Sequence, residues 1–228
     1  LSMTNNQLKD PWPESLRKEY KLAELNYAFY HIHFPRDRNC LENARRRLVF
    51  EEFFSFCLAL KMIRKQYRNK DKGISFSIEK EMMEDFLSHL PFALTQGQRD
   101  VLCEILQDMK RKCPMNRLIQ GDVGSGKTVL AAAALFIAVI NRYQGAYMVP
   151  TEILAKQHYA TLKKLFHSYD IHIGILEGSM SRKKRKEAIQ AIREGKWDIV
   201  VGTHALLQDD VSFYRLGLVI TDEQHRFG

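Results

Sequence analysis

The chain has 228 residues, of which 45% are hydrophobic and 11% aromatic, so it is long enough for one large domain or two smaller ones with a sizeable core. Its most apolar run, Val129–Ile140, is too short to span a bilayer, and its first residues lack the features of a signal peptide; we therefore expect neither a transmembrane helix nor a secretory leader. The net charge of +8 is weak evidence for a polyanionic partner.

Several residues that could carry chemistry are better explained as structural. The four cysteines form no CxxC pair and are interpreted as reduced thiols. His31 and His33 have no acidic or thiol cluster beside them and are not expected to bind a metal. The chain begins with Leu1 and not with methionine, which we interpret as a piece of a longer protein.

The first ninety residues are predicted to be helical after an irregular lead-in over residues 1–20. Apolar residues at helical spacing predict a helix over 21–31 and a long helix over about 40–68. We expect an ion pair between Arg47 and Glu51 in the long helix, and we interpret the surrounding arginine triplet as a solvated face. The phenylalanines of this helix lead us to expect that it packs on the domain that follows.

Pro91 marks the predicted boundary between a helical linker segment, residues 1–90, and a second domain, residues 91–228. Ser77 is the expected N-cap of a helix that ends near His89. Thr95 and Gln98 form a capping-box pattern at the start of the next helix, which is predicted to end near Lys110.

The second domain alternates apolar strands with helices. The predicted strands lie near Leu118 and at 147–149, 171–176, 199–201 and 216–220, and the predicted helices at 128–141, 152–167 and 181–194. Strands that are apolar on both faces and joined by helices indicate a parallel sheet covered on both sides. The sequence therefore predicts an α/β domain preceded by an all-helical segment.

One stretch matches the phosphate-binding pattern G-x-x-x-x-G-K-[ST] at every fixed position. Its glycines let backbone N–H groups point at a phosphate, and the helix that follows adds the positive end of its dipole. Lys127 is expected to reach the β- and γ-phosphates, and the Thr128 hydroxyl to hold Mg²⁺. The predicted nucleotide-binding residues of this stretch are Gly121, Asp122, Val123, Gly124, Ser125, Gly126, Lys127 and Thr128.

Two adjacent carboxylates follow the last predicted strand, at the edge where open α/β sheets place their ligands. Asp222 is expected to hold Mg²⁺ and Glu223 to polarise the attacking water. Without the phosphate loop we would interpret both as the start of a surface loop. Gln98 carries an amide that can pair with the edge of adenine, in addition to its capping role.

Three further strand ends are predicted to form a track for a nucleic-acid backbone, since a strand that leads into a helix N-terminus can bind phosphate. Each is weak alone. The basic run Arg182–Lys186 is more often a solvated helix face than a DNA contact. The predicted DNA-binding residues are Pro150, Thr151, Gly178, Ser179, Thr203 and His204.

Taken together, these motifs resemble the superfamily 2 helicases, and most closely the RecG family of ATP-dependent DNA helicases. The resemblance covers about residues 20–228. It is carried by Leu94–Gln98, Gln120–Thr128, Pro150–Ala155, Gly202–Gln208 and Asp222–Gly228, with support from His33–Pro35 and Ala44–Phe53. It implies a RecA-like motor lobe that uses ATP and Mg²⁺, with Lys127, Asp222, Glu223 and His225 in catalysis.

The resemblance also implies a function. Such enzymes remodel branched duplex DNA, including replication forks and Holliday-type junctions, in recombination and repair. The implied setting is the bacterial cytoplasm, with a monomeric enzyme, no membrane association and single-stranded DNA-binding protein as a candidate partner. The family's second lobe, which supplies an arginine finger, and its oligonucleotide-binding wedge have no counterpart in this sequence. We therefore expect this chain by itself to be nearly inactive as an ATPase.

Three alternatives remain open. The chain could belong to another superfamily 2 DNA translocase, such as a primosomal helicase, although the stretch from His33 to Phe53 argues against it. It could be a regulatory module that binds nucleotide without turnover, although the intact Lys127, Asp222 and Glu223 argue against that. A small-molecule kinase would also use a phosphate loop but would not explain the other motifs.

Overall fold

The structure is a computed structural model that describes residues 8–70, 73–122 and 124–223, except for the side chains of Arg64 and of residues 66–70. The chain forms two compact units, Leu1–Lys70 and Asp71–Gly228. The boundary between them lies well before the one predicted at Pro91. The physical reason is that Met83 and Phe86, from the stretch assigned to the helical linker, are buried in the core of the second unit.

The first unit is helical throughout its described length. Its helices are α1 (Glu14–Glu19), α2 (Leu25–His33) and α3 (Arg38–Lys70). The helices predicted over 21–31 and 40–68 are confirmed in α2 and α3. The lead-in predicted to be irregular contains α1, and Pro13 directly precedes this helix, where its fixed φ suits a helix start.

A buried ion pair anchors the first unit. The Arg47 side chain is fully buried, and its guanidinium Nη2 lies 2.9 Å from Asp10 Oδ1 and 3.2 Å from Glu51 Oε2. The predicted Arg47–Glu51 pair is therefore confirmed. The interpretation of the whole arginine triplet as a solvated face is wrong for Arg47, because Asp10, which is distant in the sequence, supplies its second counter-charge.

The second unit is an α/β domain. In chain order its elements are α4 (Lys80–Ser88), α5 (Gln96–Met109), α6 (Lys127–Ile140), β1 (Gln144–Met148), α7 (Glu152–Leu165), β2 (Ile173–Leu176), α8 (Arg182–Arg193), β3 (Ile199–Gly202), a 3₁₀ helix (His204–Leu207) and β4 (Leu216–Thr221). The helix that we expected Ser77 to cap begins at Lys80 with Glu79 as its N-cap. Ser77 is used elsewhere: its N–H donates to Asn141 Oδ1 at 2.8 Å.

In the described residues the sheet has four strands in the order β2-β3-β1-β4, and every pair of neighbours is parallel. This confirms the predicted α/β class and the parallel sheet. Because all strands run the same way, their carboxyl ends meet at one edge, and the loops that follow them share that edge.

The strand predicted near Leu118 is wrong. Residues 114–120 form no regular element, and Leu118 is 68% exposed. The Arg117 guanidinium ties this segment to α5 through Asp108, at 2.6 and 2.9 Å, and through Glu104. A cavity of about 610 Å³ lies between the segment and β4.

Helix α6 is the centre of the core. Ten of its fourteen residues are buried, and Phe136 stacks on Phe86 of α4 with ring centroids 4.8 Å apart. A helix that is apolar around its circumference is held by packing on several sides. Its first residue, Lys127, is therefore fixed relative to the sheet. Within the described residues, no helix combines the length and apolar character needed to cross a membrane.

Candidate functional site

The predicted phosphate loop has the backbone conformation that its glycines permit. Gly124 and Gly126 have φ values of 81° and 82°, in the left-handed region where a side chain is strained. Gly126 is the N-cap of α6, so the loop turns directly into the helix N-terminus. Successive N–H groups in such a turn form a concave anion site, which the helix dipole reinforces. Val123 lies outside the described residues.

Lys127 folds back over this loop. Its Nζ donates to the carbonyl oxygens of Gly121 and Asp122, each at 2.8 Å. The ammonium group therefore sits at the mouth of the loop. A Cβ on Gly121 would come within 2.7 Å of Ser125 Oγ, so the Ser125 side chain would have to move to admit one.

The structure brings Asp222 to the phosphate loop, as the sequence predicts. The N–H of Asp222 donates to the Met148 carbonyl at 2.9 Å, which extends the ladder between β4 and β1 by one residue. Lys127 and Asp222 line the same cavity beside β4. Glu223 follows with a φ of 51°, in the left-handed region. His225 lies outside the described residues, so its predicted role stays a prediction.

Two aromatic residues that we did not predict hold Asp222. The Tyr147 phenol, on β1, lies beside both Thr128 and Asp222. The His158 Nε2 atom, on α7, lies 3.1 Å from Asp222 Oδ2. Burial and the neighbouring Asp222 carboxylate raise the pKa of the Tyr147 phenol, so it stays protonated. Burial lowers the pKa of His158, and Asp222 opposes that shift only in part.

A sequence signal for these residues existed. His158 lies three residues after Ala155 and four before Leu162, so it occupies the apolar stripe of a predicted helix. Tyr147 is a polar-tipped residue of a strand whose five residues are all buried. A polar group in a buried position needs a partner. What the sequence could not show is that both side chains have Asp222 as a partner.

Gln98 joins α5 to the phosphate loop. Its Oε1 accepts from the Thr95 N–H at 2.9 Å, which completes the predicted capping box, and its Nε2 donates to the Ser125 carbonyl at 2.8 Å. The capping prediction is confirmed. One N–H and one acceptor lone pair of the amide are still available for a further ligand. The φ of 82° is what requires a glycine at Gly126; a Cβ there would also displace the Gln98 amide, since it would lie 2.3 Å from Nε2.

The predicted strand-end loops lie at the carboxyl edge of the sheet. Thr151 caps α7, with its Oγ1 accepting from the Leu154 N–H at 3.3 Å, and Pro150 precedes it. Gly178 and Ser179 follow β2 and are exposed. Ser179, however, is already bonded to a carboxylate of α7, so its donors are occupied within the protein.

The third loop differs from the prediction. Thr203 is 9% exposed because it sits beneath the 3₁₀ helix, so its side chain is not available on the surface as we expected. His204, which follows it, is exposed. In the basic run, Arg185 is held by Asp210 at 2.7 Å and by Gln208 at 2.6 Å, while its neighbours Arg182 and Lys186 are exposed.

The donor set at the loop fits a hard cation bound together with phosphate. The Thr128 hydroxyl and the Asp222 carboxylate are oxygen ligands of the kind that Mg²⁺ takes, and the Tyr147 phenol lies beside both. The glycine loop supplies N–H donors and Lys127 a positive charge for the phosphates. The residues present therefore fit a Mg²⁺–nucleoside triphosphate.

A parallel α/β sheet, a glycine-rich phosphate loop that begins a buried helix and an acidic residue after β4 beside that loop together define the class of P-loop nucleotide-binding proteins. Within this class the chain belongs to the DEAD/DEAH box helicase family, whose family pattern matches residues 95–228.

Two RecG helicases are similar to this chain over nearly its whole length. The ATP-dependent DNA helicase RecG of Bacillus subtilis is 50% identical over 228 residues, which is 100% of this chain and 33% of that protein. RecG of Thermotoga maritima is 46% identical over 221 residues, 97% of this chain and 28% of the relative. The chain thus spans about a third of the curated relatives that it matches.

Solved structures support the same grouping. A structure of RecG bound to a three-way DNA junction matches with a TM-score of 0.84 at 45% identity, over 97% of this chain and 30% of that one. A hypothetical ATP-dependent RNA helicase from Sulfolobus tokodaii matches with a TM-score of 0.50 at 22% identity, over 64% of this chain and 42% of that one, which shows the fold alone. The predicted RecA-like lobe with a preceding helical segment is confirmed.

Proposed function

We propose that this chain is the ATP-binding lobe of a DNA helicase of RecG type, which couples ATP hydrolysis to movement on branched DNA. The observation that carries the proposal is the placement of Lys127 and Asp222 at one cavity, in a chain 50% identical to RecG over its full length. The similarity to a RecG bound to a three-way junction supports branched DNA as the substrate class.

At the nucleotide, each group has a role that its position supports. The N–H groups of the glycine loop bind the phosphates, and Lys127 leaves the carbonyls of Gly121 and Asp122 to neutralise the β- and γ-phosphates. Thr128 and Asp222 hold Mg²⁺. When bound, the cation neutralises charge on the phosphate oxygens. Glu223 orients the attacking water and accepts its proton.

Adenine is proposed to bind at Gln98. The amide is held in place by Thr95 and Ser125, and its remaining N–H and lone pair can pair with the base. The same contacts make Gln98 a strut for the phosphate loop. Base recognition and loop geometry are therefore expected to depend on one side chain.

The DNA backbone is proposed to run along the carboxyl edge of the sheet. Pro150 and Thr151 after β1, Gly178 and Ser179 after β2, and His204 after β3 lie at that edge. Thr203 is buried and would support His204 without touching DNA itself. We further propose a bacterial cytoplasmic setting. Single-stranded DNA-binding protein as a partner, and a monomeric state, remain predictions.

The test is strand separation by the full-length product of the gene that encodes this chain. With a three-way junction and ATP, the proposal predicts unwinding that Lys127→Ala abolishes, and ATP hydrolysis stimulated more by the junction than by linear duplex. DNA-stimulated hydrolysis without strand separation would indicate another superfamily 2 translocase instead. Nucleotide binding without any hydrolysis would indicate a regulatory module.

A further inference from the structure

Helix α7 places a histidine in its buried face. Ala155 and Leu162 are buried against the sheet, and His158 lies between them on the same face of the helix with its side chain 12% exposed. An imidazole there costs desolvation that an aliphatic residue would avoid. The buried imidazole therefore needs a favourable contact that offsets this cost.

The ring is fixed from two sides. Its Nε2 atom lies 3.1 Å from Asp222 Oδ2, and its face lies on the Tyr147 ring with centroids 4.9 Å apart and an interplanar angle of 32°. Its Nδ1 atom is buried and has no hydrogen-bond partner among the described residues. A neutral ring therefore carries its hydrogen on Nε2, the nitrogen that faces Asp222 Oδ2.

The Asp222 carboxylate is in turn held at both oxygens. Its Oδ2 lies 3.1 Å from His158 Nε2, and its Oδ1 accepts from the Glu223 N–H at 3.0 Å. The Tyr147 phenol lies beside Asp222 and is also next to Thr128. Tyr147 is thus a common neighbour of the two proposed oxygen ligands.

We propose that His158 and Tyr147 are positioning residues that hold the Asp222 carboxylate in the orientation that binds Mg²⁺. This inference rests on the proposed function, because it takes Asp222 as a Mg²⁺ ligand. Hydrogen bonds to a metal-binding carboxylate fix its direction, and their loss typically weakens metal binding by about 10–100-fold. His158 is not among the described residues that line the cavity, so it acts through Asp222; Tyr147 lines that cavity and lies beside both Asp222 and Thr128.

The test measures how much Mg²⁺ is needed for a fluorescent ATP analogue to bind, without relying on turnover. His158→Leu removes the donor and keeps the volume, whereas His158→Gln keeps an N–H near the position of Nε2. Tyr147→Phe removes only the hydroxyl. Each variant is titrated with Mg²⁺ at fixed analogue and again with the analogue in EDTA, and its melting temperature is recorded.

The proposal predicts that His158→Leu raises the half-saturating Mg²⁺ concentration about tenfold while affinity in EDTA stays within twofold. His158→Gln should recover most of that loss, and Tyr147→Phe should show a smaller rise in the same direction. In an Asp222→Asn background, His158→Leu should have no further effect, because the carboxylate through which it acts is gone.

Two outcomes separate the inference from the proposed function. If Asp222→Asn raises the Mg²⁺ requirement but His158→Leu and Tyr147→Phe do not, the positioning role is wrong and the metal site stands. Equal losses for His158→Leu and His158→Gln would also overturn it, since only packing would then be involved. If Asp222→Asn itself leaves the Mg²⁺ requirement unchanged, the proposed metal site is wrong and the inference falls with it.

Discussion

The Glu152 carboxylate accepts two hydrogen bonds from Ser179, from its N–H at 2.8 Å and from its hydroxyl at 2.6 Å. Glu152 begins α7 after β1, and Ser179 follows β2, so the contact joins loops of two strands that β3 separates in the sheet. The hydrogen bonds from Ser179 hold the pKa of Glu152 below its ordinary value, with help from Lys156. This contact therefore holds together the loop after β1 and the loop after β2, both of which are proposed to face DNA.

Removing this carboxylate should loosen the loop after β2. In Glu152→Ala we expect amide exchange at Ser179 to become about tenfold faster, because a charge-assisted hydrogen bond is lost. Glu152→Gln should have a smaller effect, since its Oε1 still accepts from the N–H. The measurement is hydrogen exchange followed by mass spectrometry. The control is Glu187→Ala, which deletes an exposed carboxylate of α8 in the same second unit. An unchanged amide exchange rate of Ser179 in Glu152→Ala would show that this carboxylate does not hold the loop after β2.

Gln98 should contribute to the binding affinity for every nucleotide, and not only for those that carry adenine. Gln98→Ala removes the bond to the Ser125 carbonyl, so we expect affinity for a fluorescent ATP analogue to fall about tenfold. The side chain of the neighbouring Gln96 donates to Asp100 within α5 at 2.8 Å, and Gln96→Ala is the matched control.

Comparison with a guanine analogue separates the two roles of Gln98. If the amide acts only through the loop, both analogues weaken equally in Gln98→Ala. A larger loss for the adenine analogue is expected from the proposed base contact. No loss for either analogue would show that the phosphate loop does not depend on this strut.

The buried pair of Asp10 and Arg47 should dominate the stability of the first unit. Asp10→Ala leaves the fully buried Arg47 with Glu51 alone, and breaking a buried pair in this way costs about 3–5 kcal/mol. Glu14→Ala, which breaks an exposed pair with Lys18, is the control and should leave stability nearly unchanged. Chemical unfolding followed by fluorescence of Trp12, which packs on Phe54, measures both; the Trp197→Phe background leaves Trp12 as the single tryptophan.

The same pair predicts an acid transition of the first unit. Burial would raise the pKa of Asp10, but hydrogen bonds from Trp12, Arg47 and Leu25 outweigh it and hold the pKa below the ordinary 3.8. The stabilisation is therefore present above pH 3.8 and is lost as the pH falls through the lower folded value. The difference in unfolding free energy between the wild-type chain and Asp10→Ala should shrink over that range. A constant difference down to pH 2 would contradict this assignment.

The sequence predicted the parts of the fold and site that local pattern determines. The phosphate loop, the Thr95–Gln98 capping box and the strands that lead to Asp222 each follow from a short run of residues. Asp222 could be placed beside the loop because parallel strands end at a common edge.

The parts that sequence reasoning missed depend on partners far along the chain. Leu118 lies in a run that is apolar enough for a strand, yet Arg117 is bonded to α5 and the segment stays irregular. Arg47 resembled its exposed neighbours until Asp10 was seen to face it. His158 and Tyr147 matter because Asp222 is their common partner, and no spacing rule connects the three.

The central claim is that Lys127 and its loop form a nucleotide site in this chain. The most direct test is titration with a fluorescent ATP analogue in the presence of Mg²⁺, comparing the wild-type chain with Lys127→Ala and with Lys163→Ala, which removes the same charge from α7. We predict saturable binding that weakens about tenfold or more in Lys127→Ala and is unchanged in Lys163→Ala, since Lys127 sits at the loop carbonyls and Lys163 does not. Equal affinity in all three proteins would show that Lys127 does not form part of a nucleotide site.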